Sequence, residues 1–229
     1  METFTKSYNA EDYETRYKKG YGHAYPESHI IRVHRQILEW ELSLKPGKIF
    51  DFGCGTGANL GYFLNQGYQP YGCDTSATAI EQCKKYMPSH ANNFYNTEVS
   101  PNLVQLMGEE SLTVFMSNQV LYFLSDEDIK KVVEQAYKML KPGGVFVASM
   151  MSYACWYIRQ VSGVVGDFKE IKFTSPRENG ITSMINFKHK NELSTLFTPF
   201  KKLHLGSYAN HIREEEGPTE HLLFVGIKA

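Results

Sequence analysis

Short apolar runs alternate with amphipathic stretches through the first two thirds of the chain, which predicts strand–helix–strand units around a parallel sheet. The run Lys48-Ile49-Phe50 reads as the end of a buried strand and breaks at once into Asp51-Phe52-Gly53-Cys54-Gly55-Thr56-Gly57. Leu60, Phe63 and Leu64 then mark the inner face of a first helix. Gln69-Pro70-Tyr71-Gly72-Cys73 is a second strand that ends on Asp74. Ser76 is placed to cap the next helix, with Ile80, Cys83 and Met87 facing inward and Pro88 beyond its end. A third strand falls within 93–96 and a fourth over 111–117. Ser125 opens a helix with inner face Ile129, Val132, Val133, Ala136 and Leu140, and Asp126, Glu127 and Asp128 load its first turn to suit the helix dipole. A turn, Lys141-Pro142-Gly143-Gly144, leads into a fifth strand over 145–150.

The flanks are less regular. Upstream, a helix is predicted through Ile30, Val33, Ile37 and Trp40, and His34 within it reads as a packing residue. Beyond Met151 the alternation loosens. Asn179-Gly180 predicts a two-residue hairpin turn between 171–173 and 181–185. A helix over 191–197 and two long strands, about 202–210 and 220–228, follow, separated by the polar loop Glu214-Glu215-Glu216-Gly217-Pro218.

With 229 residues, the chain suits one well-buried α/β domain. Its 24 basic and 25 acidic residues give a formal net charge of −1, which argues against a nucleic-acid partner held by phosphate neutralisation. The first residues lack the apolar core of a signal peptide, and no apolar run approaches the ~18 residues of a membrane span. Cys54, Cys73, Cys83 and Cys155 show no metal-ligand spacing and read as reduced thiols. The expectation is therefore a cytoplasmic protein with neither a membrane nor a metal as partner.

The glycine-rich stretch after the first strand carries the candidate chemistry. Glycine lets backbone approach a nucleotide-like ligand closely. A dinucleotide fingerprint would read Gly-x-Gly-x-x-Gly with an acid about 20 residues on. Here the glycines stand at 53, 55 and 57 and Ala58 takes the third small position, so the glycines alone leave a nicotinamide cofactor open. The leading acid, Asp51, favours a ligand with an adenosyl end and an amino-acid end.

With the glycine loop, an acid at the second strand and Lys-Pro-Gly-Gly before the fifth, the chain resembles the class I S-adenosylmethionine-dependent methyltransferases. The likeness extends along most of its length. It implies an α/β, three-layer Rossmann-like fold: a seven-stranded, mostly parallel sheet with an antiparallel closing strand and helices on both faces. One domain, 1–229, is implied, with 1–44 as an N-terminal lid over the donor site and 152–190 as an acceptor-side insertion. The implied cofactor is S-adenosyl-L-methionine, met by Asp51, Gly53, Cys54, Gly55, Gly57, Asp74, Thr75, Asn96, Ser117 and Asn118. Asp74 would take the ribose hydroxyls, and Asp51 would act indirectly on the amino-acid end.

The acceptor side rests on less. The segment Ser117-Asn118-Gln119-Val120 lacks the Asn/Asp-Pro-Pro-aromatic run of nucleic-acid amino-methylases and the magnesium-binding acid of catechol-type enzymes. Five of the 15 tyrosines lie in the first 25 residues, at 8, 13, 17, 21 and 25, and Gly20 and Gly22 break the helix that this spacing would form. Tyr17, Tyr21 and Tyr25 are candidate acceptor contacts, with Arg177, His211 and Arg213 from the C-terminal half. His23 and His29 are candidate general bases, and Tyr122 a candidate for orienting the acceptor. The reading is metal-independent methylation of a small molecule, at oxygen, in the manner of bacterial enzymes acting on saccharides or specialised metabolites. An RNA or protein methyltransferase, an NAD(P)-dependent reductase and a non-catalytic S-adenosylmethionine-binding protein are the alternatives.

Overall fold

The structure, a computed structural model, describes residues 9–22, 24–98, 101–174 and 180–229. Strands β1 (Lys48–Phe52), β2 (Gln69–Asp74), β3 (Phe94–Asn96), β4 (Leu112–Ser117) and β5 (Leu140–Met151) run parallel, and β9 (Lys201–Asn210) and β10 (Thr219–Ile227) complete the sheet. The order is β3-β2-β1-β4-β5-β10-β9, and β10 alone runs against the direction of the other six. This is the sheet the sequence predicted. A second, three-stranded antiparallel sheet joins β6 (Val161–Val165), β7 (Phe168–Lys172) and β8 (Thr182–Ile185).

Strand alternation sends successive side chains to opposite faces, so one sheet serves two cores. Ile49, Val114, Val145 and Val147 face a layer made by α2 (Ser28–Arg32) and the helical segment Val33–Glu41, with α3 (Ala58–Asn65) and α4 (Ala77–Tyr86). Phe50, Phe115 and Phe146 face the other layer, which holds α5 (Leu103–Met107), α6 (Asp126–Met139) and α7 (Lys190–Leu196). These three rings stack in series, 5.7 and 5.8 Å between centroids, and all are fully buried. Cutting Phe146 to alanine at the end of that row would cost about 3–5 kcal/mol. The remaining helix, α1 (Ala10–Lys18), stops before Gly20, as the glycine positions predict.

Three expectations need correction. Val33–Glu41 is a π-helix, in which Leu42 N–H bonds to Ile37 O five residues back. The wider turn changes which side chains face inward: Val33, His34 and Leu38 are buried and Trp40 is 83% exposed. The Lys141–Gly144 stretch lies inside β5 as a bulge, with Leu140 paired to Leu112 and Val145 to Val114, so Leu140 belongs to the strand and not to α6. The paired strands around 173 and 181 form as expected, but Phe173 bonds to Ile181, so more than two residues connect them. The two-residue hairpin turn is at Gly166-Asp167, between β6 and β7.

Candidate active site

A cavity opens where β1, β2 and β4 end, at the point where the strand order reverses and α/β sheets leave a crevice. Its floor is the glycine loop. Gly53 and Cys54 donate their N–H groups to Cys73 O, which ties the loop to β2. Gly55 and Gly57 are both left-handed, φ +52 and +82, but for different reasons. A Cβ on Gly55 would stand 2.7 Å from the Tyr17 hydroxyl, so α1 lies directly over the loop. A Cβ on Gly57, the residue that opens α3, would meet Met87 and Cys83 at 2.8 and 2.9 Å. Gly57 answers to helix packing, and it does not line the cavity.

Asp74 does line it. Its Oδ2 accepts from Gly55 N–H and its Oδ1 from Ser76 N–H, each at 2.9 Å. Burial raises its pKa against the pull of these backbone donors. Ser76 caps α4 and donates to Glu14 of α1 at 2.5 Å, while Thr78 Oγ1 donates to the same carboxylate at 2.7 Å. Those bonds, the Ser76 one foremost, hold the Glu14 carboxyl down at about 2. Asp51 is fully enclosed, with Oδ1 lacking any partner, and burial together with nearby Asp74 pushes its pKa well up. Asn96 donates to Asp74 O and Thr75 O, and Ser117 donates to Phe52 O. Asn96 is exposed to solvent, Ser117 is buried like Asp51, and none of the three lines the cavity.

Opposite the floor the wall is aromatic. Tyr13 sits 5.4 Å from Phe123, and Phe123 4.5 Å from Tyr122, while Tyr17 and Tyr21 are 5.8 Å apart. Tyr25 also borders the cavity, although it is 82% exposed. Among the described lining residues there is no lysine or arginine; the charged ones are Glu27, Asp74 and Glu98. His29 lies just outside, stacked on Tyr208 at 3.6 Å, with Nε2 at 2.8 Å from Asn118 Oδ1. Burial lowers its pKa and keeps it neutral at pH 7.

A methyltransferase-domain family matches residues 50–148, the stretch that holds β1 to β5 and most of the cavity floor. The mouse (Mus musculus) tRNA N(3)-cytidine methyltransferase METTL2 is 29% identical over 158 residues, which are 66% of this chain and 39% of that protein. The carboxy-S-adenosyl-L-methionine synthase of Vibrio cholerae is 29% identical over 118 residues, 48% of this chain and 46% of its own. The chain thus spans less than half the length of these curated relatives. In structure it superposes on the Burkholderia thailandensis 1,6-didemethyltoxoflavin-N1-methyltransferase, solved with S-adenosylhomocysteine bound. The TM-score is 0.64 at 18% identity, over 96% of this chain and 87% of that one. Residues 50–148 thus carry a methyltransferase domain of the class I, S-adenosylmethionine-dependent type.

Against the outline of that methyltransferase domain, several sequence expectations shift. His211 and Arg213 stand exposed on the β9–β10 connection and do not line the cavity, because that loop leaves the sheet on its far edge. His29 is held off the cavity by its stack and its bond to Asn118, which leaves no ring nitrogen poised at an acceptor. His23 and Arg177 lie outside the described residues. Conversely, Asn9, Thr56, Asn59, Thr97, Glu98 and Gln119 border the cavity and were not singled out. Asn59, in the first turn of α3, and Glu98, just past β3, occupy strand-end and helix-start positions that the topology alone could have flagged. Asn9 and Gln119 had no such signal.

Proposed function

We propose that the chain transfers the methyl group of S-adenosylmethionine to a small-molecule acceptor, at oxygen. The cofactor supplies an electrophilic methyl on a sulfonium, and the protein's task is to hold the two partners in line and exclude water. In this reading Asp74 accepts the ribose hydroxyls with the acceptor capacity that its backbone donors leave over. Thr75 borders the adenine, Gly53, Cys54 and Gly55 lie under the methionine part, and Asn118 lies beside it. Asp51, Gly57 and Ser117 brace that surface from behind, and Asn96 holds the backbone of Asp74 and Thr75 from the solvent side.

The observation that carries the small-molecule reading is the wall of Tyr13, Tyr17, Tyr21, Tyr25, Tyr122 and Phe123, with no basic side chain among the described lining residues. A polynucleotide acceptor would call for lysine or arginine at the phosphates beside the cavity. Tyr122 lines the cavity, burial keeps its phenol protonated, and its hydroxyl has no hydrogen-bond partner among the described residues. It is placed to orient an acceptor hydroxyl. The test is to incubate the full chain with methyl-labelled S-adenosylmethionine and either a panel of hydroxylated small molecules or bulk tRNA. Label on a small hydroxylated compound, insensitive to salt, supports the proposal. Label on tRNA that falls steeply with salt overturns it.

A further inference from the structure

Two carboxamides in the cavity are oriented by one short turn. Asn59 Oδ1 accepts the Glu27 backbone N–H at 3.3 Å, and Asn118 Oδ1 lies 2.8 Å from His29 Nε2, only two residues further along. An N–H can only donate, so Asn59 must offer it oxygen. The Asn118 orientation follows from its other neighbours. Ser149 Oγ accepts the Gln119 backbone N–H at 2.7 Å, which leaves its proton for Asn118 Oδ1 at 3.3 Å. Tyr208 accepts from Gln119 Nε2 at 3.2 Å and turns its own proton the same way, at 3.5 Å. Asn118 Oδ1 is therefore an acceptor throughout, and His29 Nε2 carries the proton between them. Both asparagines border the cavity, and with their oxygens committed each keeps an N–H2 group to offer a ligand there.

We propose that His29 is a positioning residue, and that the Glu27–His29 turn aims the Asn59 and Asn118 amides at a carboxylate, that of the donor's methionine end. The inference rests on the donor reading above and assigns that end of the cavity. Among the described lining residues no lysine or arginine is offered to a carboxylate, and neutral N–H donors such as these two amides suit one. The Glu27 side chain borders the same cavity and supplies the negative charge that an α-ammonium group requires. His29 thus acts through Asn118 and accepts no proton from substrate.

The experiment titrates the full chain calorimetrically with S-adenosylhomocysteine and with 5′-methylthioadenosine, which lacks the amino-acid end. His29→Ala is expected to weaken S-adenosylhomocysteine roughly tenfold, one hydrogen bond's net contribution, and to leave methylthioadenosine unchanged. His29→Gln, which can place an N–H near the Nε2 position, should restore most of the loss. Asn59→Ala, a change on α3 that leaves the His29 side chain in place, should show the same selective loss and guards against a His29 variant that folds poorly. Equal weakening of both ligands, or no weakening of S-adenosylhomocysteine, overturns the inference. Failure of the unaltered chain to bind S-adenosylhomocysteine would remove the donor reading itself, and this inference with it.

Discussion

Replacing Asp74 tests the donor side most directly. Its carboxylate has about four lone-pair sites. Each oxygen already meets a backbone donor, Gly55 N–H on Oδ2 and Ser76 N–H on Oδ1, both at 2.9 Å, with Thr75 N–H also facing the carboxylate, and the reading gives one hydroxyl of a ligand diol to each oxygen. Hydrogen bonds to a charged group contribute about 1.5–3 kcal/mol each. Losing two in Asp74→Ala should weaken S-adenosylhomocysteine by about 3–6 kcal/mol, roughly 10²- to 10⁴-fold in Kd. Asp74→Asn keeps one acceptor oxygen and should fall between the variant and the parent. Both changes also untie the glycine loop from Ser76, so thermal unfolding has to be measured beside calorimetric binding. Because burial raises the Asp74 pKa, protonation removes the acceptor charge at a higher pH than for an exposed aspartate. Affinity should then decline on acidification before that of an ordinary carboxylate site would. Folded Asp74→Ala that binds S-adenosylhomocysteine within about threefold of the parent, or a parent that prefers NADH, would refute the reasoning.

Asp51 is enclosed with one oxygen unpartnered and its pKa pushed up, so the folded chain holds its proton more tightly than the unfolded one. Its contribution to stability is present at low pH and is lost as pH rises past the unfolded value of 3.8. Asp51→Asn should therefore stabilise the ligand-free protein at pH 7 by about 1–3 kcal/mol, with less gain near pH 4, as read by scanning calorimetry; a lowered Tm at pH 7 would count against it. Gly57→Ala should cost more than about 1 kcal/mol through its left-handed φ and the clash with Met87 and Cys83, yet leave S-adenosylhomocysteine affinity intact. Gly55→Ala should lower affinity as well, because its Cβ displaces Tyr17 from the loop. The chain has two tryptophans, Trp40 and Trp156, so Trp156→Phe isolates Trp40. Its fluorescence should be red-shifted and open to acrylamide, whereas a protected, blue-shifted emission would restore a regular α-helix there.

The parallel half of the fold was legible because each of its signals is local. Ser76 and Ser125 cap the helices they precede, and β1 and β4 are largely apolar runs buried on both faces. The glycine loop was equally plain, although sequence could not tell that Gly57 serves the packing of α4 while Gly55 makes room for Tyr17. What stayed hidden depends on contacts between distant segments. The π-helical widening of Val33–Glu41 changed the fate of Trp40 without any residue to announce it. His29, a plausible base by type, became a neighbour of Asn118 only because β9 brings Tyr208 beneath it. His221 is buried, and burial lowers its pKa to about 4. It meets Tyr122 and Tyr208 across the sheet in a cluster that no spacing could reveal.

The small sheet leaves the main one through a narrow neck. Ser152 bridges to Lys188, and Lys188 N–H bonds to Met151 O at 2.9 Å, so the chain returns almost to where it departed. Between those residues it rests on the segment after β4 through Asn186, whose side chain meets Leu124 O and Asp126. A loop whose ends already touch can change length at little entropic cost to its frame. The stretch 153–187 is in this sense a graftable module. Cys155, Ile171, Phe173, Ile185 and Phe187 fasten it to the core that holds Phe50 and Phe115. Its exposed positions can drift or lengthen while β1 to β5 and their cofactor loop stay as they are, which would let one scaffold acquire new clients one loop at a time.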